Sequence, residues 1–184
     1  MTASSIEAEV ASLSRRYGKP KTFAHALQKT SFGPLNGARE AEVAMAIRRP
    51  SGGILLQTKG SYPDQVFRLP TGGLKRGETI EHALLRETEE ETALEVDVAR
   101  FLAVLQYRTL SGRSIFRSYL FLLEERGGVL QEQDPEEGIT GWIEADRAGL
   151  DDAARRLRAC PGTWRHWGNF RAIAIETLVG AMAR

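Results

Sequence analysis

The segment SIEAEVASLSRRY places apolar residues at Ile6, Val10, Leu13 and Tyr17, a spacing that predicts a helix over residues 5–17. Gly18 and Pro20 stop it. Residues 21–39 are polar and glycine-bearing, with one short helical patch at FAHAL, so residues 1–39 read as an N-terminal helical extension. EVAMAIRR then predicts a strand, SGG a hairpin turn, and ILLQTK a second strand. Val66–Leu69 is a short strand running into Pro70. A helix follows from Thr79 to about Ala93. LEVDV, FLAVLQYRT and SIFRSYLFLL have strand patterns, Gly127-Gly128 marks a turn, QEQDPEEG is an acidic loop, and GWIEAD is a last strand. Residues 147–184 are helical, with LDDAARRLRAC, a break at Pro161-Gly162, and a helix from Trp164 to Met182. No internal repeat or linker is visible. Strands flanked by helices in mixed order predict one layered α/β domain over residues 1–184.

The helix after Thr79 conflicts with its own pattern. At 100° per residue, Ile80, Ala83, Leu84 and Leu94 share a face, while Glu81, His82 and Glu89 point elsewhere. Glu87 and Glu91 fall in the middle of the apolar face, and Glu90 at its edge. Their spacing is i, i+3, i+4, so the three are neighbours. Two such charges about 6 Å apart repel by roughly 3 kcal/mol at an effective dielectric near 20. A solvated acidic face damped by arginines is one explanation. A divalent-cation site is the sharper one, since hard cations take oxygen ligands and Mg²⁺ is held by a few carboxylates plus phosphates.

The residues before the helix bear on this choice. Pro70-Thr71-Gly72-Gly73 predicts a tight turn and Gly77 a second one, and glycine lets backbone approach a phosphate or metal closely. Glu78 and Arg86 stand two helical turns apart, so Glu78 can fold back from the loop onto Arg86. Thr79 is the expected N-cap.

Composition narrows the classes. The chain has 184 residues, a formal net charge of +1 and one cysteine, Cys160. A single thiol cannot form an internal disulfide, which fits a reducing compartment. The start MTASSIEAEVASLSRR lacks an apolar signal core, and no run is long enough to span a bilayer, so a cytoplasmic, membrane-free protein is expected. Near-neutral charge argues against nucleic acid as a partner.

The stretch GGLKRGETIEHALLRETEEET resembles the box of the Nudix hydrolases, G-x5-E-x7-R-E-U-x-E-E-x-G-U, with U a bulky apolar residue. Gly72 is followed after five residues by Glu78, and after seven more by Arg86-Glu87; Glu90-Glu91 follow in place. Thr88 replaces an apolar residue, and Ala93 replaces the glycine that ends the family's helix. The resemblance implies an α/β/α sandwich around a mixed sheet, with extra N- and C-terminal helices here. It implies Mg²⁺ or Mn²⁺ held by Glu87, Glu90, Glu91 and the backbone carbonyl of Thr71. Gly72, Glu78 and Arg86 would support the site. The implied reaction is hydrolysis of the diphosphate linkage in a nucleotide or nucleoside diphosphate derivative, a small-molecule substrate. The family's base is either a box glutamate or one in a later loop; here the loop offers Glu137, with Glu136 second, and a plain acidic turn is the competing explanation.

Subgroup signatures for a particular substrate are absent. Arg68, two residues before Pro70, is either a phosphate contact or a surface strand residue. Trp164, Trp167, Ile175, Leu178 and Met182 fall near helical spacing, which favours a core stripe over a base-stacking surface. His25, His82 and His166 have no metal-ligand pattern. The N-terminal helix either packs on the domain or forms a homodimer contact. Two alternatives to a small-molecule pyrophosphohydrolase are a non-catalytic nucleotide-binding or regulatory domain and an RNA-processing cap hydrolase.

Overall fold

The first helix, α1 (Ala3–Tyr17), ends at Gly18, whose φ of 87° no other residue adopts cheaply. The computed structural model describes residues 3–28, 35 and 39–183. Next comes β1 (Lys21–Leu27), a strand where the pattern suggested a helical patch. The FAHAL segment carries no helix cap and pairs in parallel with β5 (Leu94–Thr109), so a sheet edge overrides a weak local preference. The predicted extension over 1–39 is therefore a helix plus an edge strand among its described residues.

The remaining elements are β2 (Ala41–Arg48), β3 (Ile54–Lys59), β4 (Thr71–Gly73), α2 (Ile80–Thr92), β6 (Ser114–Gly128), β7 (Ile139–Ala145), α3 (Arg147–Arg158) and α4 (Arg165–Met182). LEVDV and FLAVLQYRT form one continuous strand, β5, with register shifts against β6. Val66–Leu69 is reduced to a single bridge between Arg68 and Gln57. The Gly127-Gly128 pair does not turn the chain but closes β6 against Glu95 and Leu94. There a Cβ on Gly128 would come within 2.4 Å of the Ala93 carbonyl oxygen.

The strands form a mixed sheet in the order β1-β5-β6-β2-β3-β7, with β4 pairing the start of β2. β1–β5 and β2–β6 are parallel, and the other pairs antiparallel. β2 is covered on both sides, which explains its near-continuous apolar sequence. Val43, Met45 and Ile47 pack with Leu13 of α1 and Ile80, Ala83 and Leu84 of α2. Ala44 and Ala46 belong to the opposite core with Leu150 and Leu157 of α3 and Ile175 and Leu178 of α4. The layers are thus α1/α2, sheet, α3/α4. α1 packs on the domain through Leu13, a burial worth about 2 kcal/mol. Among the described residues no helix is long and apolar enough to cross a membrane.

Candidate active site

Thr79 caps α2 by accepting from the His82 amide, as its position predicts. The helix then buries Ile80, Ala83, Leu84, Glu87, Thr88 and Glu91. Thr88 sits at an apolar position and spends its hydroxyl on the Leu84 carbonyl at 2.7 Å and the Met45 sulfur at 3.0 Å. Two glutamates therefore occupy a core stripe, which no solvated acidic face would require.

Arg86 organises the rest. Its Nε and Nη2 donate to the two Glu78 carboxylate oxygens at 2.7 and 2.9 Å. Nη2 also donates to the Gly73 carbonyl at 3.1 Å, fixing loop to helix. Nη1 donates to Glu87 at 2.8 Å and Glu90 at 2.7 Å, so one cation damps the repulsion between them. These Arg86 contacts hold Glu78 at a pKa of about 2. Burial pushes Glu87 up despite Arg86.

Gly72 is needed for a different reason than the predicted turn. Thr71–Gly73 is β4, an extended segment on β2, and Gly72 is where the Glu87 carboxyl lies against backbone. A Cβ on Gly72 would come 1.9 Å from Glu87 Cδ. Gly77, with φ of 82°, does supply the second turn.

Glu91 is 0% exposed, and among the described residues neither of its oxygens has a partner at ordinary hydrogen-bond geometry, although the Gln57 side chain is near enough to favour its charged form. Lys59 Nζ stands 3.5 Å away and Arg68 Nη2 4.0 Å. Burial pushes the Glu91 carboxyl up to about 6, against the pull of Arg68 and Lys59. The Gln57 side chain beside it is also buried, with neither amide atom partnered. Lys59 ion-pairs with Glu137 on a 3₁₀ turn, Pro135–Glu137. Burial is the largest influence on the Glu137 carboxyl and raises it, but the hydrogen bond and charge of Lys59, with the charges of Arg68 and Arg39, together outweigh it and the net shift is downward. Glu136 is exposed. Lys59 and Gln57 were missed in the sequence. Their signal was two polar residues within the apolar strand ILLQTK.

Arg68 is neither on the surface nor free. It is 3% exposed and donates to Tyr62 Oη at 2.8 Å, the Leu69 carbonyl at 2.7 Å and Thr71 Oγ1 at 3.0 Å. Trp167 and Trp164 pack on the Tyr62 ring at 4.6 and 5.9 Å. Of the predicted aromatic stripe, Trp167, Ile175 and Leu178 are buried, whereas Met182 is 41% exposed. Glu81, which points away from the apolar face of α2, takes Arg16 and Tyr17 of α1, each at 2.6 Å.

Among the described residues no three carboxylate, imidazole or thiol groups already converge as a closed metal cage. Arg86 instead bridges Glu87 and Glu90, and Lys59 stands beside Glu91. The donors nevertheless suit a hard divalent cation. All are oxygens, and the buried Glu91 carboxylate has two cations at 3.5 and 4.0 Å but no hydrogen bond among the described residues.

A sequence model of the NUDIX domain matches residues 38–161. A Mycobacterium tuberculosis protein with the provisional name mutator protein MutT4 is 29% identical over 139 residues, 72% of this chain and 52% of its own length. An ADP-ribose pyrophosphatase of Methanocaldococcus jannaschii is 35% identical over 81 residues, 44% of this chain and 48% of its own. The chain thus spans about half the length of these curated relatives. The solved structure of a NUDIX hydrolase from Nitrosomonas europaea superposes with a TM-score of 0.54 at 21% identity, covering 78% of this chain and 90% of that one. The domain match takes in β2 to β7, the glycine segment and the whole glutamate helix: the chain belongs to the Nudix family.

Proposed function

We propose that this chain is a divalent-metal-dependent pyrophosphohydrolase acting on the diphosphate linkage of a nucleotide or nucleoside diphosphate derivative. The observation that carries the reading is Glu91, a carboxylate buried without a hydrogen bond on the same helix face as Glu87. Glu87, Glu90, Glu91 and the Thr71 carbonyl would hold Mg²⁺ or Mn²⁺. When bound, the cation polarises phosphoryl oxygens and makes water a stronger nucleophile.

The protein's own part is orientation and proton transfer. Glu78 and Gly73 fix Arg86, which in turn fixes Glu87 and Glu90. Lys59 draws Glu137 toward Glu91, which favours Glu137 over the exposed Glu136 as the base. Glu137 would take the proton of the attacking water as its oxygen bonds to phosphorus and the bridging P–O bond breaks. A nucleoside monophosphate and a second phosphorylated fragment then leave. Nε and Nη1 of Arg68 serve Tyr62, Leu69 and Thr71 and Nη2 faces Glu91 at 4.0 Å, which favours a bracing part over a substrate contact. Cys160 is a buried free thiol, consistent with the cytoplasm as its place of work.

The test is a panel of nucleoside diphosphate derivatives with Mg²⁺ or Mn²⁺, read by release of the monophosphate. ADP-ribose is the first compound to try, being the substrate in the name of the Methanocaldococcus relative. Metal-dependent turnover is expected, lost by orders of magnitude in Glu90→Gln and Glu91→Gln. Parent-like turnover in both variants would sink the assignment.

A further inference from the structure

The N-terminal helix α1 lies outside the residues that match the NUDIX domain, yet it reaches the start of the glutamate helix. Every α-helix begins with amides that have no partner within the helix. In α2 the Thr79 hydroxyl takes the His82 amide and the Thr79 carbonyl takes the Ala83 amide. The amides of Ile80 and Glu81 remain, and both turn to one oxygen of Glu9 in α1, at 2.6 and 3.4 Å. Among the described residues the other Glu9 oxygen is buried with no hydrogen-bond partner. Glu9 also brings its negative charge to the positive end of the α2 dipole, which strengthens its hold on these amides.

The contact sits at a sensitive place. Glu78 precedes the capped amides by two residues and grips Arg86, which holds Glu87 and Glu90. α1 adds two more holds here, from Arg16 and Tyr17 to Glu81, and Leu13 is 2% exposed in the shared core. From Ile80 to Glu91 the helix rises about 16 Å, so a tilt of about 5° at one end moves the other by roughly 1.4 Å. Displacements near 1 Å at a reacting centre can cost about a hundredfold in rate.

We propose that Glu9 is a positioning residue for the metal site: through the Ile80 and Glu81 amides it fixes where α2 delivers Glu87, Glu90 and Glu91. This rests on the metal-site reading above. The experiment titrates Mn²⁺ alone into the full chain, followed by electron paramagnetic resonance well below each variant's melting temperature. Glu9→Ala should raise the Mn²⁺ Kd about tenfold or more, the usual effect of losing a support behind a metal ligand. Glu9→Gln, which keeps an oxygen for the same two amides, should recover most of the loss. If Glu9→Ala does not fold, Glu9→Asp decides by the same criterion, since its carboxylate is withdrawn by one methylene. Parent-like Mn²⁺ affinity in the Ala or Asp variant, with binding still lost in Glu91→Gln, overturns the positioning role alone. Mn²⁺ uptake that is absent in the parent, or unchanged in Glu91→Gln, removes the metal site and this proposal with it.

Discussion

Ala93 ends α2 in the left-handed region, at φ 54° and ψ 21°, with its amide on the Glu89 carbonyl. An L side chain there costs about 1 kcal/mol, and the Nudix box has glycine at this position. The departure from the family pattern therefore changes the energy of the helix end and leaves its geometry in place. Ala93→Gly should raise the unfolding free energy by about 1 kcal/mol in urea titration. An unchanged or lower value would mean that the methyl group packs well enough to offset the strain. Gly72 is the opposite case. A Cβ there meets the flexible end of Glu87, so Gly72→Ala should displace that carboxylate rather than break the fold. The expected result is a melting temperature within a few degrees of the parent, with Mn²⁺ affinity reduced about tenfold or more. Collapse of the fold with no soluble protein would contradict it.

At the scale of elements, the brace between the loop before α2 and the helix itself is electrostatic. Glu78 is mostly buried and falls from an ordinary 4.5 to about 2 through its bonds to Arg86. A depressed carboxyl stabilises the fold above its unfolded pKa, and the contribution fades as pH falls through the folded value. The shift corresponds to about 3 kcal/mol near pH 6, more than half of it gone by about pH 3. Urea unfolding of the parent and Glu78→Gln should show a gap that narrows in that direction; a constant gap would assign the stabilisation to packing. This brace was legible in the sequence because Glu78 and Arg86 lie on one local segment with a fixed spacing. The burial of Glu87 and Glu91 was legible for the same reason, through helical period alone. Lys59, Gln57 and Tyr62 were not, because their relation to Glu91 and Arg68 is made by strand pairing and by α4 packing, which no local period encodes. The strand at FAHAL was missed likewise, since its partner Ala103–Thr109 lies about eighty residues away.

The whole molecule places a carboxylate in the core, where Lys59 and Arg68 offset only part of its desolvation. Glu91 is fully buried, and Lys59 and Arg68 stay at 3.5 and 4.0 Å as ion pairs without a hydrogen bond. A cation held by Glu91, as proposed, would add stability, because binding to the folded state alone shifts the unfolding equilibrium. With Mn²⁺ at a hundred times its Kd the gain is about 2.7 kcal/mol. For a chain of 184 residues that is a rise of about 5–10 °C in melting temperature. The rise should vanish in Glu91→Gln, where the neutral amide keeps the shape of the side chain but is a poor metal ligand. It should persist in Glu136→Gln, whose side chain is exposed and not assigned to the metal. Equal shifts in all three proteins would place the Mn²⁺ at the surface and leave the buried carboxylate unexplained. A shift confined to proteins that keep Glu91 would tie the burial of that charge to the metal rather than to the fold.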